Sequence, residues 1–320
     1  MLSLGLDTSC YTTSCALCAD EGEPRQARRL LPVAAGERGL RQSEAVFAHV
    51  RQLSTLLTAL MKDADAPVSC VCASASPRDG EDSYMPVFQV GLSQGRSIAA
   101  ALGVPFYETT HQRGHIAAAK CQSGLEVDDF LALHLSGGTT DVVLVRGESL
   151  SPVGTSLDLH AGQLVDRVGV ALGLPFPAGP HLEELAVRGQ CRNAVPVSLD
   201  LSGLSCHLSG AEAQLLRLLS AGEKKENVAA EVYGVLCRTV LRLLSAAAEK
   251  TGVGQVLLAG GVMSSGLLRD MLSERNEKRR LGLDLHFGRP EFSGDNAVGV
   301  ALIGLEKYKK EHQHGDLDGR

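Results

Sequence analysis

Two segments of the chain share the same alternation of apolar and small polar positions. Residues 2–19, LSLGLDTSCYTTSCALCA, and residues 131–147, LALHLSGGTTDVVLVRG, each consist of an apolar run, a short turn of Gly, Asp, Ser or Thr, and a second apolar run. This pattern is typical of a β-hairpin. The copies begin at residues 2 and 131, a spacing that is too long for a solenoid and predicts a duplicated domain. The sequence therefore predicts an α/β protein with two similar lobes.

Helical periodicity follows each hairpin. Residues 43–62 repeat apolar side chains three and four positions apart after Ser43, which predicts a helix with Ser43 as its N-cap. Residues 88–103 predict a second helix that ends at its last glycine. Residues 227–250 predict an amphipathic helix of roughly six to seven turns, and residues 253–274 predict a strand, a Gly-Gly turn and a helix. Strand-to-helix units of this kind hold phosphate or ribose groups, because backbone N–H groups point outward from the helix start.

The composition is that of a globular protein whose core is filled by aliphatic side chains. Apolar residues make up 44% and charged residues 21%, with 35 glycines, 12 prolines and no Trp, which is neither a disordered nor a fibrous composition. A length of 320 residues exceeds the usual single core and favours two lobes. The net charge of −6 argues against nucleic-acid binding by bulk electrostatics. An RNA substrate would require a local basic patch or a partner protein.

The sequence predicts a cytoplasmic protein without a membrane segment. The first ten residues lack a basic leader, and Asp7 interrupts their apolar run, so no signal peptide is predicted. No apolar run reaches 18 residues, so no membrane span is predicted either. The nine cysteines, among them Cys10, Cys15 and Cys18, have no second Cys or His set at zinc spacing, which favours buried free thiols over a metal cluster. The polar tail after Lys310 is expected to be frayed.

Two histidines are candidate metal ligands. In ETTHQRGHIAAAK, residues 108–120, His111 and His115 are four positions apart, so both point to one side if the segment is helical. A solvated helix face with two histidines is the alternative interpretation. A third ligand is needed, and Asp295, just before an apolar helix, is the candidate carboxylate. Taken alone, Asp295 would be interpreted as a helix N-cap.

Three turns of small residues are candidates for nucleotide binding. The turn SGGTT, residues 136–140, combines two glycines with three hydroxyls, and successive N–H groups in such a turn can bind an anion. An ordinary hairpin turn is the alternative. A similar turn, DTSCYTT, begins at Asp7, and Gly260 and Gly261 form the third. All three follow predicted strands, which fits a nucleotide held in a cleft between two lobes.

Two further features of the second half allow both a functional and a structural interpretation. Asp166 lies on a predicted helix, where it could recognise nucleotide hydroxyls or form a surface salt bridge, and the spacing alone favours the salt bridge. The loop LPFPAGP, which contains Gly179, is either a rigid binding loop or structural punctuation. Neither feature decides the function by itself.

Together these motifs resemble the TsaD family, the tRNA threonylcarbamoyladenosine synthases formerly called O-sialoglycoprotein endopeptidases, over nearly the whole chain. The family motif His-x-Glu-Gly-His is similar to HQRGH at residues 111–115, and the family's late Thr-Asp-Asn is similar to SGDN at residues 293–296. The resemblance implies that His111, His115 and Asp295 bind one divalent metal ion, iron or zinc, with Mg²⁺ as a further choice if ATP binds. It also implies the actin, sugar-kinase and Hsp70 fold, a ribonuclease H-like duplicated α/β fold with a nucleotide cleft between its lobes.

The resemblance also implies a set of nucleotide contacts. The family's Ser-Gly-Gly-His-Thr loop matches residues 136–140, and its Phe-Asp-Lys and Pro-Gly-Gly-Pro motifs resemble LVDR and FPAGP. The implied contacts with the adenine nucleotide are Ser136, Gly137, Gly138, Thr139, Thr140, Asp166, Gly179, Gly260, Gly261 and Ser265. Asp7, the carboxylate that remains in the first turn, is the candidate catalytic residue.

The expected lobes are residues 1–120 and 121–294, with residues 295–320 forming a helix that returns to the N-terminal lobe and the frayed tail. The implied reaction is a metal-dependent transfer of a threonylcarbamoyl group from its adenylate to an adenosine of tRNA. The implied partners are threonylcarbamoyl adenylate or ATP, tRNA, and other proteins of the threonylcarbamoyl pathway.

The chain departs from the family pattern mainly around the implied site. The departing positions are Tyr11, Thr12, Arg113, Gln163, Ser205 and Ser265, and SPRDG at residues 76–80 replaces a Gly-Pro-Gly. Tyr11 and Thr12 remove two carboxylates, and Arg113 reverses the charge of a Glu within the metal motif. The alternatives are therefore a divergent paralogue that carbamoylates another acceptor or serves as a non-catalytic partner, and a small-molecule kinase of the same fold.

Overall fold

The computed structural model describes residues 1–9, 11–32, 40–62, 64–80, 83–200, 202 and 204–313. Within these ranges the strands and helices have the following bounds: β1 Leu2–Thr8, β2 Thr12–Ala19, β3 Arg25–Leu30, α1 Gln42–Met61, β4 Cys70–Ser76, α2 Phe88–Leu102, β5 Phe106–Thr110, α3 His111–Lys120, β6 Asp129–Leu135, β7 Thr140–Arg146, β8 Ser149–Ser156, α4 Ala161–Ala171, α5 Gly179–Ala186, β9 Ser198–Asp200, β10 Ser205–His207, α6 Ser209–Ser220, α7 Lys225–Thr251, β11 Gln255–Ala259, α8 Gly266–Arg279, β12 Asp284–Phe287 and α9 Val298–Gln313. The remainder of the tail that was expected to be frayed, residues 314–320, lies outside the described residues.

The chain divides into two compact units. Unit 1 comprises Met1–Cys121 together with Gly294–Arg320, and unit 2 comprises Gln122–Ser293. These bounds differ by one residue from the lobes expected from the sequence. Helix α9 belongs to unit 1, where it packs on α3, β1, β2 and β4.

Unit 1 contains a five-stranded sheet in the order β3-β2-β1-β4-β5. Strands β1, β2 and β3 form an antiparallel meander, whereas β4 is parallel to both β1 and β5. The predicted first hairpin is confirmed, because β1 pairs with β2 from Leu2 opposite Ala19 to Thr8 opposite Thr13. The apolar core of unit 1 lies between this sheet and helices α1 and α2.

Unit 2 repeats the same arrangement within a larger sheet, in the order β12-β11-β6-β7-β8-β10-β9. Strands β6, β7 and β8 form the antiparallel meander, and β11 is parallel to β6 and β12. The second predicted hairpin is thus confirmed as β6 and β7. The two short strands β10 and β9 extend the sheet beyond β8. The equivalent strand order in the two units is what the repeated hairpin pattern predicted.

The structure corrects two details of the predicted helices. Helix α1 begins at Gln42, so Ser43 lies inside its first turn, and the Glu44 carboxylate accepts the backbone N–H of Arg41 at 3.4 Å in place of a serine cap. Helix α7 is buried from Asn227 to Leu244 around most of its circumference rather than on one face. It packs against α5, α6, α8 and the sheet, and these neighbours cover the sides that an amphipathic helix would expose.

The cysteines were expected to be buried free thiols. Every cysteine in the described ranges is a free thiol, and six of them are buried; Cys10 lies outside these ranges. Burial raises the pKa of Cys15 and of Cys18 to about 12, which keeps both thiols protonated. Over the part of the chain that the structure describes, every helix is too short or too polar to cross a membrane.

Candidate functional site

Helix α3 presents the two candidate histidines on one face. Thr110 is the N-cap residue, and its hydroxyl accepts the backbone N–H of Arg113 at 3.3 Å. The helix begins at His111, so His111 and His115 are separated by about one turn. Their imidazole rings meet edge to face with centroids 4.4 Å apart, and their Nε2 atoms are 3.0 Å apart. The spacing in the sequence thus places the two rings together.

A close crossing of α3 and α9 brings the third candidate ligand to these histidines. A Cβ on Gly299 would lie 1.8 Å from the Gly114 carbonyl oxygen, and a Cβ on Gly114 would lie 3.0 Å from Val300. Only glycine permits this approach at position 299, because a Cβ there would overlap the backbone of α3 and force the helices apart. The segment that leads into α9 therefore reaches the face of α3 that carries His111 and His115.

Asp295 faces the histidines instead of capping α9. Its Oδ1 lies 3.6 Å from His111 Nε2 and 3.3 Å from His115 Nε2, and its Oδ2 accepts the Ser9 hydroxyl at 2.9 Å. The neighbouring Asn296 accepts the Val298 N–H at 3.0 Å and so pairs one N–H group at the start of α9. Because α9 begins at Val298, Asp295 lies before the N-cap position, so the N-cap interpretation of Asp295 is wrong.

Asp7 lies behind His111 and has no exposed surface. His111 Nδ1 is 2.9 Å from Asp7 Oδ2, and the Ser74 hydroxyl donates to Asp7 Oδ1. A carboxylate at this position accepts the Nδ1–H proton, which leaves the Nε2 lone pair of His111 facing Asp295 and His115. The structure therefore places Asp7 where it orients the imidazole of the candidate ligand His111.

The electrostatics of this cluster favour a cation. Burial alone would lower the pKa of His111, but the charge of Asp7 and hydrogen bonds to Asp295 and Asp7 outweigh it and hold this pKa well above its usual range. Burial alone would raise the pKa of Asp295, but hydrogen bonds from His111 and His115 hold it well below its usual range. The two carboxylates thus stabilise a positive charge at the His111 imidazole, and a metal ion would provide the same charge.

The three candidate ligands fit a divalent transition metal. Four ligand atoms at about 2.05 Å from a tetrahedral zinc ion lie about 3.3 Å apart, and the three separations here are 3.0, 3.3 and 3.6 Å. Two imidazoles and one carboxylate suit zinc or iron. His111, His115 and Asp295 form the one group with such geometry among the described residues. Three protein ligands leave a coordination position for substrate, as in catalytic sites.

Unit 2 contains a separate cavity of about 470 Å³, which is within the usual range for small-molecule sites. Five of the predicted nucleotide contacts line it, namely Gly137, Asp166, Gly179, Gly261 and Ser265. The other lining residues are Gly162, Val165, Pro177, Pro180, Glu183, Tyr233, Val262 and Ser264. Residues from two turns, the three helices α4, α5 and α7, and the Pro-rich loop therefore converge on one cavity.

The other five predicted contacts support the walls of this cavity. Ser136 and Thr139 close the hairpin turn, where the Ser136 N–H donates to the Thr139 carbonyl at 2.8 Å. The Thr140 hydroxyl accepts the N–H of Ala161 at 2.8 Å, which joins the turn to the start of α4. Gly138 and Gly260 belong to the turns themselves but are not among the lining residues. Gly260 has φ of +99°, and a Cβ there would lie 2.2 Å from the Leu135 carbonyl oxygen.

Asp166 holds the Pro-rich loop rather than forming the predicted surface salt bridge. Its Oδ1 accepts the N–H of Ala178 at 2.8 Å, one residue before α5 begins at Gly179. The Tyr233 hydroxyl donates to the Gly179 carbonyl at 3.3 Å from the other side. The sequence spacing around Asp166 could not reveal Ala178 as its partner, because Asp166 and Ala178 come together only when α4 and α5 pack.

The sequence profile of the family described as tRNA N6-adenosine threonylcarbamoyltransferase, TsaD, matches residues 34–302. The chain belongs to the TsaD family. The tRNA N6-adenosine threonylcarbamoyltransferase of Methanopyrus kandleri is 28% identical over 321 residues, which cover 98% of this chain and 89% of that protein. A Thermoplasma volcanium protein named "Probable bifunctional tRNA threonylcarbamoyladenosine biosynthesis protein" is 27% identical over 97% of this chain, and this chain spans 57% of its length. The resemblance to TsaD and the prediction of a transferase are confirmed at the level of the family.

Solved structures confirm the predicted fold. HypF of T. kodakarensis has a TM-score of 0.62 at 15% identity and covers 97% of this chain, which spans about half (48%) of that protein. A ROK family glucokinase of Streptomyces griseus, solved with glucose and AMPPNP, has a TM-score of 0.55 at 14% identity over 96% of this chain and all of its own. At these identities the likeness shows the fold alone, which is the sugar-kinase-like fold.

The departures from the TsaD pattern occupy structural positions in several cases. Gln163 accepts the His160 N–H at 3.1 Å and so caps α4. Ser205 and Thr12 are buried, whereas Tyr11 is 52% exposed. Gln163 thus performs a capping role that needs no carboxylate.

Sequence reasoning missed eight residues that line the cavity in unit 2, among them Glu183 and Tyr233. Glu183 lies four residues after Gly179 on α5, and its Oε1 accepts the Leu267 N–H in the first turn of α8 at 2.7 Å. That spacing on a helix could have indicated Glu183. Tyr233 lies on the central helix α7 and is 2% exposed, so its local pattern was that of a core residue.

Proposed function

We propose that the protein transfers a threonylcarbamoyl group from its adenylate to an adenosine of tRNA, with one divalent metal ion of the zinc or iron type. The observation that carries this proposal is the convergence of His111, His115 and Asp295 in a chain of the TsaD family. The relatives that are named as threonylcarbamoyltransferases support the choice of reaction.

In unit 1, the ligand residues would be held in place by their own hydrogen-bonding partners. Asp7 keeps the His111 proton on Nδ1, and Ser9 holds the second oxygen of Asp295. His111, His115 and Asp295 would bind the metal, which when bound would supply Lewis-acid polarisation of the carbamoyl carbonyl. Iron, zinc and, with ATP, Mg²⁺ are the cations that we propose to test.

In unit 2, the cavity would hold the AMP part of the adenylate. The Gly137 and Gly261 turns bring backbone close to the ligand without side chains, as a phosphate site requires. Asp166 would accept hydrogen bonds from ribose hydroxyls. The glucokinase of similar fold was solved with AMPPNP, an adenine nucleotide analogue, which supports this choice of ligand.

The reaction is an acyl-type transfer with AMP as the leaving group. A bond forms between the exocyclic nitrogen of adenosine and the carbamoyl carbon, and the bond between that carbon and the phosphate oxygen breaks. AMP leaves with the electron pair, and the attacking nitrogen loses one proton. Binding and orientation of the adenylate by the chain's own residues would raise the rate by bringing the reacting atoms together.

The proposed acceptor is tRNA, and the proposed location is the cytoplasm. The net charge of −6 supplies little attraction for phosphate, so other proteins of the threonylcarbamoyl pathway would provide part of the tRNA surface. Two short basic runs, NEKRR at residues 276–280 and EKYKK at residues 306–310, could contact tRNA phosphates. They are only partly available for this, because Lys278 pairs with Glu274, and Lys310 pairs with Glu306 at 2.8 Å.

A transfer assay tests the proposal. The protein is incubated with threonylcarbamoyl adenylate, tRNA from its host and candidate partner proteins, and the digested nucleosides are analysed by mass spectrometry. Modified adenosine is expected with the wild-type protein and at a level at least tenfold lower with His111→Ala. Equal modification by both proteins would overturn the role of the metal centre. The absence of modified adenosine from every reaction would overturn the choice of substrate.

A second candidate is a divergent paralogue that carbamoylates another acceptor. The specific observation in its favour is Tyr11, which is 52% exposed where the family has a carboxylate. This candidate predicts adenine-nucleotide binding and metal binding without modification of tRNA. A kinase of the same fold would instead convert ATP to ADP in the presence of a small hydroxyl-bearing acceptor.

A further inference from the structure

The first turn of α3 is joined to the loop after β4 by an ion pair that includes one of the departures from the family pattern. Asp79 accepts two hydrogen bonds from Arg113, one from Nε at 2.9 Å and one from Nη2 at 2.6 Å. The Thr110 hydroxyl donates to the same carboxylate at 3.3 Å. Bidentate pairs of this type fix the relative orientation of both side chains.

A backbone contact strengthens the same connection. The Gln112 N–H donates to the Pro77 carbonyl at 2.9 Å. This N–H belongs to the first helical turn, where no intrahelical acceptor is available. Pro77 and Thr110 thus accept the backbone N–H groups of Gln112 and Arg113, and Asp79 binds the Arg113 side chain, all in the turn that begins with His111.

Strand β4 and its following loop therefore reach His111 from two directions. Ser74, near the end of β4, donates to Asp7, and Asp7 accepts the Nδ1–H of His111. Asp79, after the end of β4, holds the backbone of the same helical turn through Arg113. The first connection sets the orientation of the imidazole, and the second sets the position of the Cα atom that carries it.

The charge of Arg113 also requires a partner at this position. Arg113 is two residues from each histidine, so its side chain leaves α3 on the opposite side and cannot be a ligand. An unpaired guanidinium in the first turn would oppose both the positive end of the helix dipole and a nearby divalent cation. The carboxylate of Asp79 neutralises it, and a negative charge at a helix start is itself favourable.

We propose that Asp79 and Arg113 form a clamp that positions the metal-binding helix and neutralises the cation within the motif HQRGH. Asp79 and Arg113 are positioning residues, 34 positions apart, that act through the backbone of His111. The inference rests on the proposed metal centre. It explains how this chain carries Arg within its metal motif, since Asp79 supplies the missing negative charge from another element.

Titration of the full-length protein with Co²⁺ tests the clamp, because the visible absorption of bound Co²⁺ reports the ligand geometry. Asp79→Asn should bind Co²⁺ about threefold to tenfold more weakly and with an altered spectrum. The double variant Asp79→Asn with Arg113→Gln should recover to within about twofold of Arg113→Gln alone, because the unpaired cation is removed. Asp65→Asn, which breaks the 2.7 Å surface pair with Arg25, is the matched control and should bind as wild type does.

Amide hydrogen exchange of the metal-free protein provides a second measurement that does not depend on Co²⁺. The N–H groups of Gln112 and Arg113 should exchange faster in Asp79→Asn than in wild type or Asp65→Asn. The clamp is overturned if Asp79→Asn binds Co²⁺ within twofold of wild type, or if the double variant stays as weak as Asp79→Asn. A wild-type protein that does not bind Co²⁺ would overturn the proposed metal centre and the neutralising role, and unchanged exchange rates would then overturn the anchoring of α3 as well.

Discussion

Replacing Asp7 is the sharpest test of how the candidate metal centre is built. Asp7 is fully buried and accepts hydrogen bonds from His111 Nδ1 at 2.9 Å and from the Ser74 hydroxyl. In Asp7→Asn the amide oxygen can still accept the imidazole proton, and Ser74 can turn its hydroxyl to accept from the amide nitrogen. The variant therefore removes the charge but keeps the geometry. In Asp7→Ala both are lost.

The expected losses follow from this difference. Replacing a group that holds a metal-ligating histidine costs 10- to 100-fold in metal affinity in general. We expect about tenfold weaker Co²⁺ binding for Asp7→Asn and about 100-fold weaker binding for Asp7→Ala, which correspond to about 1.4 and 2.8 kcal/mol. The fold should persist in Asp7→Asn, because no cavity is created.

The pH dependence of this loss has a definite sign. Burial alone would lower the pKa of His111, but the charge of Asp7 together with hydrogen bonds to Asp295 and Asp7 holds this pKa well above its usual range, so metal must displace a proton from the wild-type site near neutral pH. This competition weakens apparent metal binding as pH falls. In Asp7→Asn the pKa of His111 is lower and the competition is weaker. The deficit of Asp7→Asn relative to wild type should therefore be larger at pH 8 than at pH 6.5.

The assay is a Co²⁺ titration at both pH values, with the unfolding temperature of each metal-free variant measured alongside. Asp65→Asn, a surface carboxylate in the same unit, is the control and should bind within twofold of wild type. The reasoning is refuted if Asp7→Asn binds within threefold of wild type at pH 8, or if Asp7→Ala binds no more weakly than Asp7→Asn.

Three further changes test other parts of the structure. Gly299→Ala should lower the free energy of unfolding by about 1–3 kcal/mol, because its Cβ would lie 1.8 Å from a carbonyl oxygen of the facing helix. Gly210→Ala, measured in the same denaturant titration, is the control: its Cβ would meet open space, so this variant should be neutral or stabilising. Asp166→Ala should weaken AMP binding at least tenfold by calorimetry, since it removes the acceptor of the Ala178 N–H and the proposed ribose ligand, and equal affinity to wild type would contradict the placement of the nucleotide. His49 is buried, and burial lowers its pKa, so the folded protein binds this proton more weakly than the unfolded chain does and stability is lost as pH falls below about 6.5. The difference in unfolding free energy between wild type and His49→Gln should accordingly shrink between pH 7.5 and pH 5, and a constant difference would contradict this sign.

Much of the local structure could be predicted because it depends on residues within one or two turns of each other. Helix α2 ends where the sequence indicated, at Gly103, which has φ of +67° and ends the helix as glycine commonly does. Both hairpins follow from alternation and small-residue turns. The pairing of His111 with His115 also follows from helical spacing alone.

The sequence predicted less about α1 and α7, for different physical reasons. The sequence predicted Ser43 as the N-cap of α1. In the structure the Glu44 carboxylate accepts the Arg41 N–H, and the helix begins at Gln42. At α7 the burial of nearly every side depends on four other helices, α4, α5, α6 and α8, whose positions are not encoded in the periodicity of α7.

The sequence by itself determined the family, the fold class and the candidate ligands, because these depend on motifs and on local pattern. Only the tertiary structure decided that Asp295 faces the histidines, and that Asp7 lies behind a histidine 104 positions away. The physical reason is that a side chain acquires distant partners only when its helix or strand packs on another. Here the crossing of α3 and α9 at Gly114 and Gly299 brings Asp295 to the histidines.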